Sequence, residues 1–291
     1  MRDPFREGLA AGWQYIDASE LTADKELEAD VVVVGSGAGG GVTAELLTRA
    51  GLKVLIIEEG PLRTTRDFQM KEAEAYPQLY QESASRKTAD KAINILQGRC
   101  VGGSTTVNWT SSFRTPPTTL NWWQSAHGLK SLSVEAMAPW FLMMERRLNV
   151  SRWSHDPNEN NAALARGATK LGIPIEVIPR NVKACWNLGY CGMGCPTNAK
   201  QSMLLTTIPN SLFLGAMLVS RLRAERLEIS GNQIKSLKCV ALKVDGLNTS
   251  GINVTVRARH FVLAGGAINS PAMLLRSKAP DPHSLLGKRT F

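Results

Sequence analysis

Gly35, Gly37 and Gly40 occupy the three glycine positions of a G-x-G-x-x-G fingerprint, directly after the apolar run 31–34. In such a turn the first glycine permits a sharp reversal and the second lets a pyrophosphate approach the backbone. The third lets a helix pack on the strand. Ala38 sits inside the turn, where the opening N–H groups of the helix and its positive dipole end would meet phosphate. Glu58, 18 residues past Gly40, stands with Glu59 at the end of the next apolar run, where a carboxylate can accept from a ribose hydroxyl. The chemistry these residues support is dinucleotide binding.

Two further glycine-led segments need explaining alongside the first: 98–108 (GRCVGGSTTVN) and 265–271. A nicotinamide dehydrogenase has no use for them. A flavin dinucleotide is longer and needs backbone close to it along its length. Gly102, Gly103, Ser104 and Thr105 offer unhindered N–H groups and hydroxyls, Asn108 can donate or accept near the ring system, and Gly266 opens another helix.

With these three segments in order, the chain resembles the glucose–methanol–choline (GMC) oxidoreductases over nearly all its length, from about Asp30 to Phe291. The third segment matches the family's second signature at Gly266, Ala267, Ser270, Pro271 and Ser277, with Lys278 where glycine is usual. The resemblance implies FAD as cofactor. Gly35, Gly37, Gly40 and Glu58 would hold its ADP half, Gly103, Ser104 and Asn108 would lie along the pyrophosphate and flavin, and Ala224 would lie beside the adenine. Trp109 stands where the family has a small residue and would narrow the space above the flavin. The implied reaction is oxidation of a CH–OH group, with hydride passing from an alcohol to flavin N5 and a histidine taking the hydroxyl proton. The electron acceptor implied is oxygen, a quinone or a protein.

The family's histidine lies in a C-terminal segment beyond Phe291. His127, His155, His260 and His283 do not match it, so no catalytic base is assigned. The expectation is an N-terminal half to two-thirds of a longer enzyme. The alternative is a non-catalytic flavin-binding fragment or one part of a split enzyme. Cys185, Cys191 and Cys195 leave two readings open. Three thiolates could hold an iron–sulfur cluster, as in one branch of the family's sugar dehydrogenases, or they belong to a buried loop of the substrate domain with no metal.

The elements that must position these residues follow from pattern. The expected fold is α/β: a Rossmann-like parallel sheet with a crossover β-meander over about 219–257, plus a partial substrate domain. Residues 1–120 and 216–291 would form the FAD-binding domain and 121–215 the substrate part. Ser133 caps a helix whose stripe Met137, Trp140, Phe141, Met144 and Leu148 reads as core. A second helix runs over about 161–171 and stops at Gly172. The acidic leader 17–30 reads as an arm or short helix, and 60–95 as a covering excursion rather than core.

Composition narrows the partners. The net charge is +9, yet residues 1–30 are net −5, and twelve Lys/Arg stand against four Asp/Glu from Val219 onward. No basic run with interleaved aromatics occurs, so a solvated or acid-facing surface is expected and nucleic acid is not. Five thinly spread cysteines argue for reduced thiols. No long apolar run and no signal-like opening occur, so the expected location is the cytoplasm or the inner-membrane periphery.

Overall fold

The fingerprint builds a strand–helix–strand unit, and the rest of the sheet grows from it. In the computed structural model, which describes residues 2–288, helix α1 (Pro4–Ala10) and strand β1 (Gln14–Asp17) precede β2 (Lys25–Val34), α2 (Ala38–Arg49) and β3 (Val54–Ile57). Next come α3 (Glu72–Leu79), α4 (Ser104–Val107), α5 (Pro117–His127), α6 (Val134–Arg147), β4 (Val150–Arg152), α7 (Glu159–Lys170) and β5 (Pro179–Asn181). Helix α8 (Thr207–Phe213), strands β6 (Met217–Ser220), β7 (Leu222–Ser230), β8 (Gln233–Leu242) and β9 (Thr249–Leu263), and helix α9 (Gly266–Arg276) follow.

Contacts divide these residues into two compact units. One comprises the chain up to Asn108, Tyr190–Asn198 and everything from Ser202; the other comprises Trp109–Gly189 and Ala199–Gln201. The first unit holds a seven-stranded sheet ordered β1-β6-β3-β2-β9-β8-β7. Its first five strands are mutually parallel, and β8 runs antiparallel to both of its neighbours, β9 and β7. Parallel neighbours need a crossover, and α2 supplies the one between β2 and β3. Strands covered on both faces carry uninterrupted apolar runs. Val31, Val32 and Val33 in β2 and all four residues of β3 are buried accordingly. Each such side chain contributes about 1.5–3 kcal/mol.

Three expectations are corrected in this unit. The acidic leader is half strand: a short 3-10 helix at Ala18–Glu20 is followed by β2, which begins at Lys25 and pairs in parallel with β9 from Lys25↔Val254 to Val34↔Leu263. Its backbone ladder outweighs the poor strand propensity of the acids. The last meander strand does not end near 257; β9 runs on to Leu263 and joins the meander to the parallel sheet. The stretch 60–95 contributes Phe68, Ala75, Leu79 and Tyr80 to the buried set.

The second unit contains α5, α6, α7 and the antiparallel pair β4–β5. Ser133 caps α6 by accepting from Ala136 N–H at 3.1 Å, as expected. Helix α7 starts at Glu159 under an Asn158 cap and stops at Gly172, whose φ is +67°. The α6 stripe is not core: Met137, Phe141, Met144 and Leu148 are half-buried and Trp140 is 57% exposed. Phe141 is covered by the Arg114 guanidinium, 5.8 Å from its ring centroid, which also grips both carboxylate oxygens of Glu145. Among the described residues no helix is long and apolar enough to cross a membrane.

Candidate functional site

Strand β2 is flanked by β3 and β9, so the connections leaving these strands diverge at their C-terminal ends. Open α/β sheets form their ligand crevices at such a point. Here a cleft of about 660 Å³ opens, lined by Gly35, Gly37 and Ala38 after β2 and by Glu58 and Glu59 after β3. Gly103, Ser104, Thr105, Ala224 and Gly266 complete the lining contributed by the anticipated residues. All of these belong to the first unit.

The glycines are required by space as well as by dihedral. Gly35 has φ +100°, and a Cβ there would lie 2.5 Å from the Ala264 carbonyl oxygen. Gly103 has φ +54°, and its Cβ would lie 2.8 Å from Gly37 Cα, so two backbones meet at the cleft floor. Gly40 is outside the lining; a Cβ would fall 1.9 Å from Gly35 O, the helix-on-strand approach expected of the third glycine. Gly37 and Gly265 are the N-cap residues of α2 and α9 and supply no side-chain cap, and Ala38, Gly39 and Gly266 border the cleft. Their first N–H groups are therefore available to an anion.

Glu58 is buried and borders the cleft. Its Oε2 accepts from Ser36 N–H at 3.0 Å and Ser36 Oγ–H at 2.6 Å, and its Oε1 from Gly60 N–H at 2.9 Å. Burial raises its pKa, opposed by those hydrogen bonds. A carboxylate has about four acceptor positions, so one remains for a ligand hydroxyl. Ser104 Oγ accepts from Gly98 N–H at 3.0 Å, which leaves its own proton to donate. Thr105 Oγ is committed differently: it donates to Gly102 O at 2.6 Å and accepts from Met203 N–H at 3.0 Å.

Besides Gly40, two further anticipated residues do not border the cleft, Gly102 and Asn108. Gly102, with φ +89°, packs behind it and donates to Ser36 Oγ at 2.9 Å. Asn108 is exposed at the end of α4, and Trp109, 58% exposed, begins the second unit.

Sequence reading missed Ser36, the fully buried hub that joins the fingerprint, Glu58 and Gly102. As an x position of the motif it carries no signal. Arg99 was also missed. It pairs with Glu59 at 3.0 Å, donates to the Gly246 carbonyl and is buried. Arg86 reaches Gln97 at 3.1 Å and Asn269 at 3.2 Å along the cleft wall. Ser277 has a structural part: its Oγ accepts from Leu227 N–H at 2.8 Å and donates to Met273 O, fastening α9 to β7.

None of the four histidines is among the residues that line the cleft. His260 pairs with Val31 in β9, His155 bonds to the Cys185 carbonyl, and the ring of His127 packs edge-on against Trp122. Cys185 belongs to the second unit and Cys191 and Cys195 to the first. Among the described residues no three His, Cys, Asp or Glu side chains converge on a metal position.

A family model for GMC oxidoreductases matches residues 76–291, and one for an NAD(P)-binding Rossmann-like domain matches 33–62. The chain belongs to the GMC oxidoreductase family. The long-chain-alcohol oxidase FAO4B of Arabidopsis thaliana is 31% identical over 88% of this chain and 35% of its own length. An uncharacterized GMC-type oxidoreductase of Mycobacterium tuberculosis, Rv0492c, is 32% identical over 88% of this chain and 40% of its own. The chain thus spans about a third to two-fifths of these relatives. Pyridoxine 4-oxidase from Mesorbium loti shares the fold, with a TM-score of 0.66 at 21% identity over 88% of this chain and 53% of that one.

The family's cofactor is FAD. The residues present fit it: the cleft is of cofactor size, its floor is backbone that a Cβ would fill, two helix starts face it without caps, and a buried carboxylate keeps an acceptor position.

Proposed function

We propose that this chain is the FAD-binding portion of an oxidoreductase acting on CH–OH donors. The observation that supports it best is the Gly37–Gly103 approach beside Glu58, two separate glycine segments and an acid on one cleft. In this reading the N–H groups at Gly37 and Ala38 meet the pyrophosphate, assisted by the dipole of α2. Glu58 accepts from the adenosine ribose, and Ala224 flanks the adenine. Gly103, Ser104 and the start of α9 at Gly266 lie toward the flavin, with Ser104 donating. When bound, FAD would supply a hydride acceptor at N5 for an alcohol carbon. The second unit would be the first part of the substrate domain, and long-chain alcohols are the first donors to try, given the named activity of the Arabidopsis relative.

The positions of the histidines favour a second reading of the chain taken alone, as a flavin binder that supplies no base. Both readings meet in one experiment. The purified chain is incubated with FAD, freed of excess by gel filtration, and its spectrum followed under nitrogen with a long-chain alcohol. Retention of a flavin spectrum is expected, with little or no bleaching. Failure to retain FAD would sink the binding proposal. Steady bleaching by the alcohol would sink the second reading.

A further inference from the structure

Arg221 joins β6 to β7 in a conformation that suits glycine. Its φ is +51°, in the left-handed region that an arginine enters only when its surroundings over-determine it. The residue is 5% exposed, and its Nη1 pairs with Asp17 at the end of β1. Its Nε is buried with no hydrogen-bond partner.

Backbone geometry shows what the residue controls. Glu58 N–H donates to Val219 O at 2.9 Å, and Leu222 N–H donates to Glu58 O at 3.0 Å. Between them, Arg221 N–H donates to Gly60 O at 3.1 Å and Arg221 O accepts from Leu242 N–H at 2.9 Å. The turn at Arg221 therefore clips 58–60 to the start of β7, and residues 222–225 go on to line the cleft. A glycine here would avoid the dihedral cost and the unpaired Nε but would leave Asp17 without this partner. The side chain ties the turn to the end of β1 through that pair.

We infer that Arg221, anchored by Asp17, is a positioning residue that holds Glu58 and the first residues of β7 as one wall for the adenosine half of the dinucleotide. This rests on the dinucleotide reading of the cleft. The full chain and its R221G, D17N, R221G/D17N and R221K variants are titrated with ADP by calorimetry, and their melting temperatures are measured. In R221G the melting temperature falls because Asp17 is left unpaired, and it recovers in the double variant R221G/D17N, where glycine accepts the dihedral and no charge is orphaned, while ADP affinity stays about tenfold down in both. A merely structural role would restore ADP affinity together with the melting temperature. D17N weakens ADP binding similarly, and adding it to R221G costs little more, as for two members of one interaction. Should R221G fail to fold, R221K is read instead: weakened ADP binding sustains the inference and unchanged binding overturns it. Unaltered ADP affinity in folded R221G and D17N overturns it while leaving the cleft reading intact. Absence of ADP binding by the parent chain overturns the cleft reading itself.

Discussion

At the residue scale the decisive group is Glu58. Burial raises its pKa in the folded chain despite the donors from Ser36 and Gly60. For a carboxyl group so shifted, the folded state binds more protons than the unfolded one between the two pKa values. Its stabilising contribution is therefore fully present below the ordinary carboxylate range and is lost as pH rises through the raised folded value. E58Q should abolish that dependence, read by urea denaturation across the acid-to-neutral range, and should weaken ADP binding about tenfold. An unchanged pH profile in E58Q would refute the assignment. The acid and its glycine partners were legible because their types and spacing are dictated by a ligand's shape. Ser36 was not, because its role arises from a hydrogen bond to Gly102, distant in sequence, and serine is unremarkable in a turn.

At the scale of elements, what reads well is what is local. The caps at Ser133 and the stop at Gly172 depend on neighbours within one turn, and both are where the pattern puts them. The stripe on α6 misled because a helical period shows that one face is apolar, not how deeply it is buried. Helix ends also bear on Lys278, which stands where the family has glycine. After α9, Ala279 N–H donates to Leu274 O and Lys278 N–H to Leu275 O, both at 3.0 Å, the two bonds of a Schellman stop. Gly172 closes α7 with the same pair of bonds, to Ala168 and Thr169. Lys278 thus holds φ +50° in a position made for glycine. The left-handed conformation costs about 1–2 kcal/mol for an L side chain, and glycine's extra unfolded-state entropy returns roughly 0.5–1 kcal/mol of that. K278G should stabilise the chain by about 0.5–1 kcal/mol, seen as a melting temperature raised by roughly 1–4 °C. A lower melting temperature would mean that the lysine side chain carries a contact worth more than the strain.

At the scale of the molecule, the sequence displayed its charges without their pairing. The basic later strands suggested a solvated or acid-facing surface, and part of the acid they face is the chain's own leader, since β2 and β9 lie side by side. Glu26 meets Arg257 at 3.0 Å and Asp30 meets Arg259 at 3.8 Å. Such exposed pairs contribute little stability, and only the long-range register brings them together. The two units differ more consequentially in their interiors. The first is built on a continuous cluster that includes Val32, Leu55, Ile57, Val219, Leu237 and Val256. In the second, the buried residues are Thr110, Leu120, Asn181, Ala199 and Lys200, of which only Leu120 is a large apolar side chain. A unit with so little apolar burial gains little against its chain entropy. Scanning calorimetry should therefore resolve a broad early transition from the second unit and a later one from the first. ADP binds native structure only, so at 100 times its dissociation constant it adds about 2.7 kcal/mol to whichever transition destroys its site. Since every residue lining the cleft belongs to the first unit, the later transition should move upward and the early one should stay in place. A single transition that shifts as a whole would show that the two cores melt as one and would remove this partition.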